Sequence, residues 1–228
     1  MITFIYKLKS NIRRNADIFL SFSVCGLSMY LFCIYSVTRY PRTSTLLTGD
    51  VLGQYIPALR SFVKNVWSGN GLSYSWDVFL GMNATEYYGT YVGGSFVNLV
   101  YLFFPWLSPE AFIRIAFTLK TAMAGAGFTY FCKKAWNTGN MVPVFISVFY
   151  AMCGFQVSSN IVNYIWMDAL YMLPIVTANI VVGLKEKRWT PLVLSYAYLF
   201  ICNFYMGYIV GIFSAIFFIA SNCARNTL

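Results

Sequence analysis

The sequence predicts an all-α protein with several transmembrane helices, on three observations. The composition is 59% hydrophobic and 20% aromatic, with 10% charged residues, against about 25% charged in a soluble domain. The charges are clustered: none falls in 18–38 or 189–224, and Asp168 is the single charge between Ala135 and Leu184. Apolar stretches of this length meet the roughly 20 residues that a helix needs to cross a bilayer. The net charge is +9 and the mean hydropathy +0.62. In so apolar a chain the basic excess reads as loop charge facing the cytoplasm and anionic headgroups, with no nucleic-acid partner. Histidine is absent, which excludes His-based catalysis and His-ligated metal within this chain. The six cysteines lie mostly in apolar runs and form no CxxC pair, so they read as small apolar residues.

The elements follow in order. The N-terminus, 1–17, carries Lys7, Lys9, Arg13 and Arg14 and is expected in the cytoplasm. A first span over 18–37 is too long for a signal-peptide core and is followed by no A-x-A site. A loop over 38–109 is then extracytoplasmic. Within it, 51–67 predicts an amphipathic interfacial helix: Val51, Leu52, Tyr55, Ile56, Leu59, Phe62, Val63, Val66 and Trp67 recur at the 3.6-residue period. Pro57 bends it near Gly53, and "SGNG" at 68–71 ends it. The run 92–107 is short, with glycines at its start and Pro105 near its end. Reading it as interfacial or re-entrant puts Lys133, Lys134 and the "KEKR" of 185–188 on the cytoplasmic side. Spans are expected over 110–132, 141–158 and 166–184. The segment 190–220 would be about 46 Å long as one straight helix, more than a bilayer core. It is expected as a kinked helix or as a hairpin.

Polar residues gather at the outer side. Of seven acids, Asp50, Asp77, Glu86, Glu110 and Asp168 fall there, and the charge rule does not account for them, since acids contribute little to topology. Asp50 opens the amphipathic segment, where the simplest reading is an N-cap. Asn163, Trp166 and Asp168 sit at a span entry, where Asp168 reads equally as a cap of that span or the partner of a lysine. Arg114 and Lys120 lie on the second span, Lys120 roughly 9 Å further along, deep enough to ask for a reason, with snorkelling the ordinary reading.

The motifs "GDVLGQYIPALRSF", "WSGNGLSYSWDVFLGMN", "YYGTYVGGSFVNLVYLFFP", "NYIWMDALYMLPIV" and "NFYMGY" occur in this order. Together, over about 15–220, they resemble the N-terminal part of bacterial YfhO-type membrane proteins, which are similar to the GT-C class of glycosyltransferases. The resemblance implies a GT-C-like fold with a large first extracytoplasmic loop, in a bacterial cell membrane. It implies transfer of a sugar from a polyprenyl-phosphate carrier to an envelope polymer such as teichoic acid. Family members are several times longer, so the remaining C-terminal part of such a protein is an expected partner, and a non-catalytic or truncated protein is the alternative reading. A subunit of a lipid-linked substrate transporter is another; it predicts polar residues along several spans.

Carried onto this sequence, the resemblance makes Asp50 the base for the acceptor hydroxyl and Arg60, Lys64, Arg114 or Lys120 the holders of donor phosphate. Sugar or acceptor contacts fall to Gln54, Tyr55, Trp76, Asp77, Glu86, Tyr87, Tyr88, Asn163, Trp166, Asp168, Asn203 and Tyr205. Asp77, Glu86 and Asp168 are alternatively ligands of a divalent cation. The ordinary reading of the outer tyrosines and tryptophans is an interfacial belt.

Overall fold

A computed structural model describes residues 15–39, 46–70, 72–76, 78, 81–92, 94–138, 141–159 and 162–226. The described residues form an all-α bundle. Helix α1 (Ala16–Arg39) packs along α5 (Pro109–Trp136), the longest helix. The buried residues of α1 recur every fourth position, Ser21, Cys25, Met29 and Cys33, so one narrow stripe faces α5 while Phe19, Leu27, Leu31 and Tyr35 face outward. Glycines allow this close approach: a Cβ on Gly125 would overlap Cys25 Sγ, and one on Gly26 would touch Ala122 Cβ at 3.1 Å. Ser21 and Thr129 hydroxyls share a 2.6 Å bond inside the contact.

Helix α5 starts at Ser108, whose Oγ accepts from Ala111 N, with Pro109 at its first position where a missing N–H costs nothing. It ends on Asn137 in the left-handed conformation. Helix α7 (Met167–Glu186) is the most enclosed and touches α5, α8 (Thr190–Cys202) and α9 (Phe204–Asn226). Three described helical stretches are long and apolar enough to cross a membrane: Ala16–Ser36, Tyr164–Glu186 and Phe204–Ala224. Helix α5 has the length, 28 residues, but carries Glu110, Arg114, Lys120, Lys133 and Lys134.

Several expectations need correction. The amphipathic segment is not one α-helix: Val51–Tyr55 has π-type bonding, and α2 (Ile56–Ser68) begins with Pro57 in its first turn. Pro57 has no N–H for Gly53 O, so the α-type register cannot run through that point. Leu52 and Trp67 of the expected apolar face are exposed. Among the described residues of 92–107, α4 (Leu99–Phe103) alone is helical. Gly94 lies so close to Ile201 and Cys202 that a Cβ would overlap their backbone, which ties the preceding stretch down as a loop. In 141–158, helix α6 (Val142–Ala151) stops after 10 residues and a π-type turn, Phe155–Ser159, follows; Gln156 there turns inward and donates to Thr121 Oγ1. The segment 190–220 breaks at Asn203. Trp189, before α8, meets Phe218, late in α9, at 6.1 Å between ring centroids, so α9 returns alongside α8 as a hairpin.

The two ends of the bundle differ. One is basic: Lys133 pairs with Asp17 at 2.7 Å, Lys134 with Glu186 at 3.6 Å, and Lys185 donates to the Lys134 and Ala135 carbonyls. The other bears α2, α3 (Ala84–Tyr91) and α4 over an aromatic core that includes Tyr55, Leu59, Tyr101, Phe112 and Tyr164.

Candidate functional site

At the loop-bearing end a cleft of about 300 Å³ is lined by Asp50, Gln54, Tyr55, Asn163, Trp166, Asn203 and Tyr205, with Gly89, Ile165, Phe200, Ile201 and Phe204. Seven residues singled out from the sequence therefore meet, from three separate stretches of chain.

Local chemistry explains each placement. Gly49 has φ +52°, a conformation that glycine takes without penalty, and a Cβ there would come to 2.5 Å from Val162 Cγ1. This turn sets Asp50 beside the 162–166 segment. Asp50 itself is helical, with φ −66° and ψ −24°, and its side chain makes no cap bond; the N-cap reading is therefore corrected. Its Oδ1 accepts from Gln54 Nε2 at 3.0 Å, one turn on, which orients the carboxylate. Tyr55 is buried, donates to Asn163 Oδ1 at 2.8 Å, and sets its ring edge-on to Tyr164. Asn203 Oδ1 accepts from Met206 N, capping α9, while Nδ2 donates to Ile165 O at 3.5 Å. Phe200, Ile201, Phe204 and Tyr205 are exposed and form an apolar flank. No Lys or Arg lines the cleft among the described residues.

The expected phosphate cations are elsewhere. Arg60 and Lys64 line a separate cleft of about 520 Å³ with Trp106 and Ser108. Along the helix they stand roughly 15 and 20 Å from Asp50. Arg114 is half-buried on α5, and its Nε has no partner among the described residues. Lys120 is fully buried and pairs with Asp168 at 2.8 Å; its charge is spent on that carboxylate, which corrects its placement as an open phosphate contact. Asp168 is equally enclosed. Its Oδ1 accepts from Ser95 and Tyr171, both at 2.8 Å, so neither oxygen is left for a sugar or cation. Tyr88 is also corrected: it is 2% exposed, and its hydroxyl is shared with Ser61 and Asn65. Trp76 is 77% exposed, next to Ser75, which forms an isolated bridge with Met82. Glu86 and Tyr87 lie on α3, and none of these three lines the cleft. Asp77 lies outside the described residues. No group of three or more acids or cysteines among the described residues is placed to hold a metal. Asp168, committed to Lys120, is removed from the expected cation set.

Sequence reasoning missed Ser95, Tyr171 and, of the apolar flank, Phe200, Ile201 and Phe204. Ser95 and Tyr171 sit in ordinary apolar surroundings, where only the tertiary contact with Asp168 marks them.

The fold and the long apolar helices define a multi-pass helical membrane protein. Residues 21–226 match the family model described as "Bacterial membrane protein YfhO", and the chain belongs to that family. No curated protein and no solved structure matches it.

Proposed function

We propose that the cleft is the reactive site of a membrane glycosyltransferase that uses a polyprenyl-phosphate sugar, with the loop-bearing end outside the cell. The observation that carries this reading is the cleft itself. An oriented carboxylate, three side-chain amides and two tyrosines stand beside an exposed apolar flank, a combination suited to hydroxyl groups at one end and a lipid chain at the other. Asp50 takes the proton of the acceptor hydroxyl as the acceptor oxygen attacks the anomeric carbon. The bond from that carbon to phosphate oxygen breaks, and the polyprenyl phosphate leaves with the electron pair. Phosphate is a good leaving group, so no strong acid is required. Gln54 keeps the carboxylate aimed, and Asn163 and Trp166 border the sugar.

Arg60 and Lys64 are too far along α2 to meet the same phosphate. They are assigned to phosphates further along a polymeric acceptor, such as the polyol-phosphate repeats of a teichoic acid. The test is glycosylation of envelope polymer in cells expressing wild-type protein or Asp50→Asn at equal levels. Loss of transfer with unchanged thermal stability is expected, since Asp50 makes no cap bond. Transfer at the wild-type rate by Asp50→Asn would remove Asp50 from the mechanism.

A further inference from the structure

Among the described residues, the most enclosed charges lie next to the cleft, not in it. Lys120 is 0% and Asp168 1% exposed, and they meet at 2.8 Å. Burying two charges is expensive, and their attraction offsets the cost only if the remaining donors and acceptors are satisfied. Here they are. Lys120 Nζ also donates to Tyr164 O at 3.2 Å and stands 4.6 Å from the Tyr164 ring centroid. Asp168 Oδ1 receives Ser95 and Tyr171, and the Tyr171 hydroxyl shares a 2.7 Å bond with Tyr198 on α8.

The partners of this network belong to five elements: α5, the 164–166 turn, the first turn of α7, the 94–98 loop and α8. The 164–166 turn continues directly from Asn163 and contains Trp166, both in the cleft wall. The loop is held a second time, by Cys202 Sγ donating to Gly94 O at 3.3 Å, and by Tyr164 donating to Asn98 Oδ1 at 3.2 Å. We infer that Lys120 and Asp168 are positioning residues: the pair fixes the height of the 163–168 stretch against α5 and clamps the outer loop over it. This gives the cleft wall its geometry without touching the ligand. The inference rests on the cleft being the ligand site.

The experiment compares wild type with K120M, D168N and the double variant K120M/D168L, each as the full chain in detergent micelles. Melting temperature, hydrogen exchange of the 162–167 amides and binding of a short-chain polyprenyl-phosphate hexose are measured. Each single variant leaves one buried unpaired charge or an uncompensated partner and melts well below wild type. The double variant is all apolar at the pair and recovers most of the melting temperature. Positioning predicts that it still exchanges the 162–167 amides at least tenfold faster and binds the hexose at least tenfold more weakly. Wild-type exchange in a double variant with recovered melting temperature would overturn the inference, because the pair would then be packing alone. If the double variant does not fold, Ser95→Ala decides, since it leaves the ion pair intact: faster exchange at 94–98 supports the clamp, and unchanged exchange overturns it. If wild type does not bind the hexose, the proposed function fails while the exchange data still decide this point.

Discussion

The turn at Gly49 tests whether the cleft is assembled as described. Gly49→Ala adds one methyl group with two separable costs. An L-residue at φ +52° loses about 1–2 kcal/mol to its own backbone. The new Cβ also stands 2.5 Å from Val162 Cγ1, and forcing in a methyl at that range costs about 1–3 kcal/mol. Together they come to about 3 kcal/mol, or a fall in melting temperature of about 6–12 °C for a chain of this size. Val162→Ala removes the clashing methyl. In the Gly49→Ala background it recovers the steric part, leaving the backbone cost of about 1–2 kcal/mol. The four proteins of this cycle are compared by tryptophan fluorescence on heating in micelles. A coupling energy above about 1 kcal/mol is expected, since residues in contact depart from additivity. Additive effects within about 0.5 kcal/mol would mean that Gly49 does not rest on Val162, and the placement of Asp50 beside the 162–166 turn would fall with it.

Other perturbations test the surroundings. Tyr88→Phe leaves the buried Asn65 amide without its 2.8 Å acceptor and is expected to cost about 1–3 kcal/mol, read as a lower melting temperature with transfer intact in the surviving protein. Gly94→Ala forces the outer loop away from Ile201 and Cys202; faster exchange at 94–98 is expected, and wild-type exchange would refute the close approach. Lys120→Met leaves Asp168 buried without its cation, for a loss of about 3–5 kcal/mol, whereas Arg60→Met, at an exposed position, leaves the melting temperature within about 2 °C.

Much of the cleft was legible because polarity interrupts apolar sequence there. Asp50, Gln54 and Tyr55 stand at the head of an amphipathic run, Asn163 and Trp166 at a span entry, and Asn203 and Tyr205 inside an otherwise apolar segment. Polar groups cost too much in lipid to sit there without a partner or a role, so the interruptions pointed to one place. What stayed hidden depends on partners distant in sequence. Lys120 and Asp168 are separated by 48 residues, and no periodicity links them, so the sequence leaves Asp168 open as a cap, a lysine's partner or a ligand contact, and Lys120 as a snorkelling side chain or a phosphate contact. Tyr88 looked like a loop aromatic until Ser61 and Asn65 from α2 were found on its hydroxyl. The run 92–107 was apolar enough for a helix, but apolar content does not reveal that Gly94 must touch the end of α8.

The irregular backbone of the protein has a common destination. The π-type turn at Val51–Tyr55, the non-helical stretch through Val162 and Asn163 before the 3₁₀ turn Tyr164–Trp166 and the break between α8 and α9 at Asn203 all border the same cleft. Each leaves backbone groups outside regular helix bonding. In a lipid environment such groups are tolerated only where protein or a water-filled cavity satisfies them. Asn203 shows how this is done: its Oδ1 caps α9 while its Nδ2 donates to Ile165 O, in the facing turn. One side chain therefore ends a helix and closes the opposite wall. A bundle built only for stability would run its helices through these points. Three separate interruptions border the cleft that Asp50 lines, which is the pattern of a site rather than of packing alone.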